Sequence, residues 1–428
     1  MRSIPFYLSL ALIFTIPWEN AVTVGALGTL ARVTGMVTVT IWLGSALLER
    51  RFRRPHLFHA AVCIFGLWNI LSLYWTADQV WTSQRIATYL QMALLVYVLW
   101  DLYRTTQALR AGLQAYILGA YVSIGSTILN FLHGHQIERY AEGRFAGADV
   151  NACDLVVILA MGLPVAWHLA TTSGDSVKDR ILQPLNYLYI PASLFAITLT
   201  ASRIALFAVI PAVLYIAGTA NRIRPSFRLL MLVAFIATLF IVKGHIPNAT
   251  FERLSTVGSS IEHMDLNGRV RLWRASITTF SDHPILGIGS GALCSPRELG
   301  GVAHNTFISV LTELGMVGFI FFAFILSIVI YHAIRQSGML TSLWVTVLAI
   351  WCIGVSSLTF EYAKTTWLFF SLVVISAHSF LGDHQTGRPS DKLNKEKVPL
   401  LESSRLCELV RTKRRFTFSG SEEASRLS

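Results

Sequence analysis

Charged residues are scarce in this chain. Asp, Glu, Lys and Arg together make up 14% of its 428 residues, against about 25% in soluble domains. Hydrophobic residues reach 54%, and the mean hydropathy is +0.55. The apolar runs are roughly 17–25 residues long, enough to cross a membrane as helices and longer than barrel strands. The sequence therefore excludes a soluble domain and predicts an all-α integral membrane protein.

Cysteine is also scarce. The five cysteines are Cys63, Cys153, Cys294, Cys352 and Cys407. Three fall inside predicted spans and no two have C-x-x-C spacing, so neither a disulfide framework nor a zinc site is indicated. No repeat of 20–50 residues is visible, which argues against a solenoid. We predict a protein that uses neither a metal nor a cofactor.

The apolar runs predict about twelve transmembrane helices. Their approximate bounds are 4–17, 29–48, 56–75, 83–103, 106–131, 150–170, 186–201, 203–220, 227–243, 304–331, 339–357 and 362–381. The first run resembles a signal peptide. It lacks a small-x-small cleavage site and more spans follow, so we interpret it as the first span.

Basic residues predict the orientation, because Lys and Arg resist translocation and collect on the cytoplasmic side. With both termini inside, the inner loops hold Arg50, Arg51, Arg53, Arg54, Arg104, Arg110, Lys178, Arg180, Arg222, Arg224, Arg228 and Arg335. The chain then divides into nine spans over 1–243, an outer loop domain over 244–303, three spans over 304–381 and a cytoplasmic tail over 382–428. The tail is polar and basic, and we expect it to be disordered or to lie on a surface.

The short outer loops are much poorer in positive charge than the inner ones, so each basic residue predicted to lie outside stands against the general bias. They are Arg32, Arg85, Arg139, Arg144, Arg203, Lys243, Arg253, Arg269, Arg271, Arg274, Arg297 and Lys364. Arg203 occupies a tight outer turn between two spans, where a lone cation is costly unless an anion meets it. Arg144, in a loop before the sixth span, could hold an anionic ligand or be a solvated loop residue.

The outer loop over 244–303 is too long for a simple connection and is predicted to be partly helical. From Arg269 to Phe280, the apolar residues Trp273, Ile277 and Phe280 recur with helical spacing. Asp265 or Asn267 could cap this helix, and Pro284 follows its end.

Three arginines lie at the start of that helix. Arg271 and Arg274 share one side, whereas Arg269 lies nearly opposite Arg271. Each one alone could be a snorkelling arginine at the lipid headgroups. Together, guanidinium groups at a helix N-terminus form a favourable phosphate site.

His304 opens the tenth predicted span, followed by Asn305 and Thr306. Histidine is the side chain most easily used as a base at neutral pH, although a lone histidine at a membrane boundary can also be structural. Two further features are predicted to have a structural rather than a catalytic role. The glycines between Gly287 and Gly291 indicate a turn rather than a phosphate loop, and Glu313 is expected to bond within the bundle.

Five short motifs resemble those of the O-antigen ligase and polymerase superfamily of bacterial envelope glycosyltransferases. They are Gly143-Arg144-Phe145-Ala146-Gly147 with Asn151; Thr200-Ala201-Ser202-Arg203; Gly268-Arg269 with Trp273; Pro284-Ile285-Leu286-Gly287-Ile288-Gly289; and His304-Asn305-Thr306 followed by Glu313-Leu314-Gly315-Met316-Val317-Gly318. Their order and their placement between spans carry the resemblance. Ala303 departs from the pattern, because many relatives have a second histidine or another polar residue there.

The resemblance implies a GT-C-like fold and a metal-independent, inverting glycosyltransferase of the bacterial inner membrane. Its donor would be a glycan on undecaprenyl pyrophosphate at the periplasmic face, and its acceptor lipid A-core oligosaccharide. His304 is then expected to be catalytic, and Arg203, Arg269, Arg271, Arg274, Arg144 and Asn305 to bind substrate. Membrane lipids are the other expected partners, and nucleic acid is not one.

Three alternatives remain open at this point. An O-antigen polymerase or a protein O-oligosaccharyltransferase would use the same donor. A twelve-span transporter should carry ionisable residues near the midplane of discontinuous helices and internally repeated halves. In this sequence the notable charges are predicted at the outer boundary, which favours a transferase.

Overall fold

The computed structural model describes residues 3–136, 143–172, 177–222, Val233 and 269–385. These residues form twelve α-helices and no β-strand, apart from one bridge between Thr23 and Thr29. The helices are α1 Ser3–Thr15, α2 Leu30–Glu49, α3 Leu57–Leu71, α4 Gln79–Leu102, α5 Thr106–Leu132, α6 Ala152–Thr171, α7 Val177–Leu199, α8 Ile204–Thr219, α9 Arg269–Asp282, α10 Thr306–Ile334, α11 Met339–Val355 and α12 Lys364–Gln385. The predicted all-helical class is therefore confirmed for the described residues.

Side-chain caps set several helix starts. Asp78 accepts hydrogen bonds from the backbone N–H groups of Val80 and Trp81 at the start of α4, and Thr105 accepts one from Ala108 at the start of α5. Such caps satisfy amide groups that have no partner inside the helix. The starts of these capped helices are thus determined by residues close to them in the sequence.

Helix α6 lies at the centre of the bundle. It packs against α5, α7, α8 and α11, and 89% of its most apolar window is buried, compared with 22–44% for the other candidate spans. Asn151 caps this helix and Cys153 lies in its first turn. The N-terminal end of the most buried helix therefore lies next to the loop that carries Arg144, one of the predicted site residues.

Within the part of the chain that the structure describes, six helices are long and apolar enough to cross a membrane: α2, α3 with its following 3-10 turn, α4, α5, α6 and α10. The helices α1, α8 and α11 are apolar but shorter. Eleven of the predicted spans coincide with a described helix, whereas the span predicted over 227–243 lies, apart from Val233, outside the described residues. The total of twelve spans and the GT-C fold stay predictions.

Two other predicted segments also lie outside the described residues. They are 244–268, which forms the first part of the outer loop and includes both proposed caps, and the tail from 386 onward. The predicted helix of the outer loop is present as α9. It ends at Asp282, two residues before Pro284, as predicted.

Candidate active site

The loop that carries Arg144 is fixed against the ends of α5 and α7. Phe145 N–H donates to the carbonyl of Leu199 at 3.0 Å, and Asn130 donates to the carbonyl of Ala146 at 2.8 Å. A Cβ on Gly147 would lie 2.4 Å from the backbone nitrogen of Thr127. Glycine is therefore required here by the close approach of two backbones.

Arg144 and Arg269 meet at one sulfur atom. Arg144 Nη2 lies 3.9 Å from Cys153 Sγ, and Arg269 Nη2 lies 4.0 Å from the same atom. Arg144 Nε also donates to the carbonyl of Thr200 at 3.0 Å. The loop before α6 and the start of α9 thus bring two guanidinium groups to the N-terminal turn of α6.

The turn between α7 and α8 lies beside this pair. Ser202 Oγ is 3.3 Å from Cys153 Sγ, and the next residue, Arg203, is the half-buried N-cap of α8. Ala201 has a φ of +47°, a left-handed conformation that is uncommon for alanine. Strained backbone of this kind often lies at functional sites, where the surrounding structure holds it in place.

Helix α9 presents its three arginines differently. Arg269 is half-buried, whereas Arg271 and Arg274 are exposed. The residue buried against α10 is Ser276, whose carbonyl accepts a 3.1 Å hydrogen bond from Thr312 Oγ1. Ile277, which the sequence placed on one apolar face with Trp273 and Phe280, is 49% exposed. The small Ser276, one position earlier, makes the close helix contact.

His304 lies just before α10 and is half-buried. Its φ is +51°, a left-handed conformation in which histidine is more common than most residues. Burial lowers the pKa of His304, and the positive charge of Arg269 lowers it further. Both effects favour the neutral imidazole, the form that a general base requires.

Asn305 and Thr306 attach the start of α10 to the α11–α12 loop. Asn305 Oδ1 caps α10 by accepting from Ile308 N–H at 3.1 Å, and its Nδ2 donates to the carbonyl of Ser356. Thr306 Oγ1 donates to the carbonyl of Leu358 and accepts from Phe360 N–H. Asn305 was predicted to bind substrate. In the structure, its side-chain oxygen and nitrogen both form hydrogen bonds within the protein.

A buried charge network lies below this segment, and the sequence did not reveal it. Arg85 Nη1 lies 3.2 Å from Glu361 Oε1 and 3.9 Å from Glu313 Oε2. The Arg85 guanidinium also lies 3.8 Å from the ring centroid of Tyr362. Glu361 Oε2 is buried without a hydrogen-bond partner. The sequence did mark Arg85 as one of the basic residues predicted to lie outside. It gave no reason to pair Arg85 with acidic residues more than two hundred positions away.

The glycine-rich loop after α9 packs on a break in α10. Gly315 departs from helical geometry, with a φ of +67°, and a Cβ on it would lie 2.2 Å from the carbonyl oxygen of Ile285. Gly289 N–H donates to the carbonyl of Glu313 at 2.8 Å, and Gly291 N–H donates to its carboxylate at 2.7 Å. The glycines form a turn that docks on α10, in agreement with the structural interpretation of the sequence.

This arrangement joins the motifs that the sequence analysis singled out. Residues 188–323 match the O-antigen ligase family model. The resemblance to the O-antigen ligase superfamily is therefore confirmed. The matched residues include Arg203, Arg269 and His304, whereas Arg144 precedes them. No curated protein matches the chain.

The family match supports an O-antigen ligase or polymerase type of function in general. Members of this family are glycosyltransferase-like enzymes, and the family implies a polysaccharide-linked lipid donor and a lipid acceptor. Together with the apolar helices, the match supports a multi-pass membrane protein.

Proposed function

We propose that the protein is an O-antigen ligase. It transfers a polysaccharide en bloc from undecaprenyl pyrophosphate to lipid A-core oligosaccharide at the periplasmic face of the bacterial inner membrane. The observation that carries this proposal is the convergence of Arg144 and Arg269 on Cys153, beside a histidine whose pKa is lowered. Two guanidinium groups next to a neutral base match a reaction with a pyrophosphate leaving group and a hydroxyl nucleophile.

The proposed reaction is an inverting displacement at the anomeric carbon. His304 accepts the proton of the acceptor hydroxyl, and the oxygen attacks the anomeric carbon from the face opposite the pyrophosphate. The bond between that carbon and the pyrophosphate oxygen breaks, and undecaprenyl pyrophosphate departs with the bonding electrons. Arginine suits the departing group, because its planar fork can bind two phosphate oxygens at once. The step needs neither a metal nor a nucleotide.

Each predicted substrate-binding arginine has a distinct position in this proposal. Arg144 and Arg269 reach Cys153 in the first turn of α6, and Arg203 directly follows Ser202, which contacts the same sulfur. All three would bind the pyrophosphate. Arg271 and Arg274 are exposed and would meet the glycan or the lipid headgroups. The N-terminal end of α6 adds its partial positive charge to the pyrophosphate site.

The alternatives differ in the acceptor rather than in the donor. An O-antigen polymerase would use a second undecaprenyl-linked glycan, and a protein O-oligosaccharyltransferase would use a protein hydroxyl. A transporter is disfavoured, since the family match is to glycosyltransferase-like enzymes.

The deciding experiment offers all three acceptors to the purified protein. Undecaprenyl-pyrophosphate glycan is incubated with lipid A-core, undecaprenyl-linked glycan or an acceptor protein, without nucleotide and with a metal chelator present. Glycan transfer to lipid A-core alone is expected. Transfer to either of the other acceptors alone would replace the ligase assignment, and a strict metal requirement would overturn the proposed chemistry.

Matched variants test the site. His304→Ala is expected to keep donor binding while single-turnover transfer falls by a factor on the order of 10²–10⁴. Arg203→Lys and Arg269→Lys are expected to lose most activity, because lysine lacks the planar fork. The control is Arg297→Lys at an exposed position, which should retain activity. Parental activity in His304→Ala or in both lysine variants would refute the assigned roles.

A further inference from the structure

A cavity lies between α3 and α4, away from the candidate active site. Its volume is about 340 Å³, and it reaches from the N-terminal turn of α3 to Tyr97 on α4. Tyr97 lies twelve residues along α4 from Arg85, which corresponds to about 18 Å along a helix. The cavity is therefore near the opposite end of these two helices from the buried charge network.

The cavity has an apolar side and a polar end. Val62, Ala93 and Val96 line the apolar side, and His56 and His59 line the end that adjoins the α2–α3 turn. Leu57, Ala60 and Cys63, which also line it, are exposed. The cavity thus opens on the outer surface of α3.

That outer surface is apolar. The exposed residues of α3 and α4 that flank the opening include Ile64, Leu67, Leu90 and Leu94, each between 45% and 58% exposed. In a membrane protein such a surface contacts lipid tails, because exposing it to water would be costly. A groove open to this surface is accessible to an acyl chain from the bilayer.

The polar end is strongly basic. Arg50, Arg51, Arg53 and Arg54 lie in the five residues before Pro55. The guanidinium of Arg53 stacks 3.5 Å from the ring centroid of Trp100, and its Nη1 donates to the carbonyl of Trp100 at 2.9 Å. These contacts fix a cation next to the cavity while leaving further N–H groups on the same fork.

Other charged or titratable groups at this end do not offset the basic charge. Two carboxylates belong to this end and are outnumbered by the arginines: Glu49 directly precedes Arg50 in the sequence, and Asp101 already binds Arg104, the indole of Trp42 and the backbone N–H of Arg53. His332 and His378 lie next to His56, with ring centroids 5.0 and 4.7 Å from it. Burial, His378 and Arg53 lower the pKa of His56, which favours the neutral form of its imidazole beside the arginines.

We propose that this cavity binds an anionic glycerophospholipid, with its phosphate at the Arg50–Arg54 turn and an acyl chain along the groove between α3 and α4. An apolar groove that ends in a cluster of fixed cations complements a molecule with a long apolar chain and an anionic head. Basic pockets beside transmembrane helices bind anionic headgroups for the same reason. The inference does not depend on the proposed transferase activity.

Native mass spectrometry of the full-length protein in a non-ionic detergent tests the proposal. Phosphatidylglycerol and phosphatidylcholine with identical acyl chains are titrated separately. Phosphatidylglycerol is expected to bind at least tenfold more tightly. Equal retention of the two lipids would overturn the charge recognition, and a protein dimer in place of the lipid adduct would identify a second copy as the occupant.

Two variants distinguish binding of the lipid headgroup from binding of the acyl chain. Arg54→Gln removes an exposed charge and is expected to weaken phosphatidylglycerol binding about fivefold, the effect of one basic residue near a membrane surface. Ala60→Phe narrows the opening without changing charge and is expected to weaken both lipids together. Arg180→Gln, an exposed arginine on α7, and Val213→Phe, on the exposed side of α8, are the matched controls. Unchanged binding in Arg54→Gln and Ala60→Phe, or equal losses in the controls, would refute the site.

Discussion

Arg85 and Glu361 form a buried ion pair, with 3.2 Å between Nη1 and Oε1, although 276 residues separate them in the sequence. Glu313 places a second carboxyl group 3.9 Å from the same guanidinium nitrogen. One buried cation therefore faces two acidic groups. Burial raises the pKa of Glu361 to about 7, although Arg85 opposes the shift. Glu361 thus holds a proton over much of the range below neutral pH.

The first prediction concerns removal of either partner. Arg85→Ala should destabilise the protein by about 3–5 kcal/mol, because it leaves buried acidic groups without their counter-charge. At a pH well below 7, Glu361→Gln should cost about 1 kcal/mol or less, since an amide replaces a carboxyl group that is largely protonated under those conditions. Unfolding by an ionic detergent in mixed micelles measures both. Arg32→Ala, at an exposed arginine, is the control and should have little effect, whereas equal losses at Arg85 and Glu361 would contradict the protonated state.

The second prediction is the pH dependence that follows from Glu361. Its folded pKa is about 7 and the ordinary value is 4.5, so between these pH values the folded state binds more protons than the unfolded state. The free energy of unfolding therefore falls as pH rises from 4.5 to 7, and the contribution of Glu361 is constant outside this window. The difference between the parent protein and Glu361→Gln, measured from pH 4 to 8, isolates this residue. A flat difference would show that Glu361 ionises as in the unfolded chain.

The third prediction concerns His304 and rests on the proposed function. A base must be deprotonated, so transfer should rise with pH through the pKa of His304, with a midpoint below 6.5. In Arg269→Gln the midpoint should move upward, because a neighbouring positive charge is lost. It should stay below 6.5, since burial is the larger cause. Each pH profile is measured as kcat/KM, which reports the free enzyme, and is normalised to its own maximum. An unchanged midpoint in Arg269→Gln would show that the charge of Arg269 does not act on His304.

The fourth prediction uses two glycines with opposite surroundings. Gly315→Ala places a Cβ 2.2 Å from the carbonyl oxygen of Ile285 in a left-handed conformation, whereas a Cβ on Gly301 meets no atom within 4 Å. Gly315→Ala should destabilise the protein by about 2 kcal/mol or more, and Gly301→Ala should be close to neutral. Detergent-induced unfolding compares them. Similar stabilities would mean that α10 can straighten without cost.

The fifth prediction concerns the orientation in the membrane. Thr278→Cys, exposed on α9, should be labelled by an impermeant thiol reagent applied to spheroplasts, while a cysteine placed at 386–428 should stay unlabelled. Cys294 should react slowly even though it is on the same side, because it is half-buried and burial raises the pKa of its thiol. The experiment uses a protein that lacks the other native cysteines. Labelling of the tail but not of Thr278→Cys would show that the protein has the opposite orientation in the membrane.

Local features of the fold could be predicted from the sequence. Apolar run length located the helices, and Pro284 marked the end of α9, because these features depend on neighbouring residues. The five short motifs carried the resemblance to the family for a similar reason, since each is a stretch of neighbouring residues. The roles of the individual site residues stay predictions.

Other features depend on residues far apart in the chain and could not be predicted. The sequence analysis gave Cys153 no function because it has no partner cysteine. In the structure, Arg144 and Arg269 both approach the sulfur atom of Cys153. The Arg85 network required the folded positions of α4, α10 and the α11–α12 loop. Apolar periodicity placed Ile277 on one face of α9, but it did not anticipate the helix contact made through the small Ser276.

The break in α10 affects how the outer loop can be exchanged between related proteins. The amide and carbonyl groups freed near Gly315 are satisfied by the segment that contains Pro284, Ile285 and Gly289. Non-helical backbone is tolerated at membrane depth only where protein or water satisfies it. Residues 284–318 therefore behave as one module. A chimera that takes the loop from one relative and the start of α10 from another would join two halves of a hydrogen-bond pattern that were selected separately.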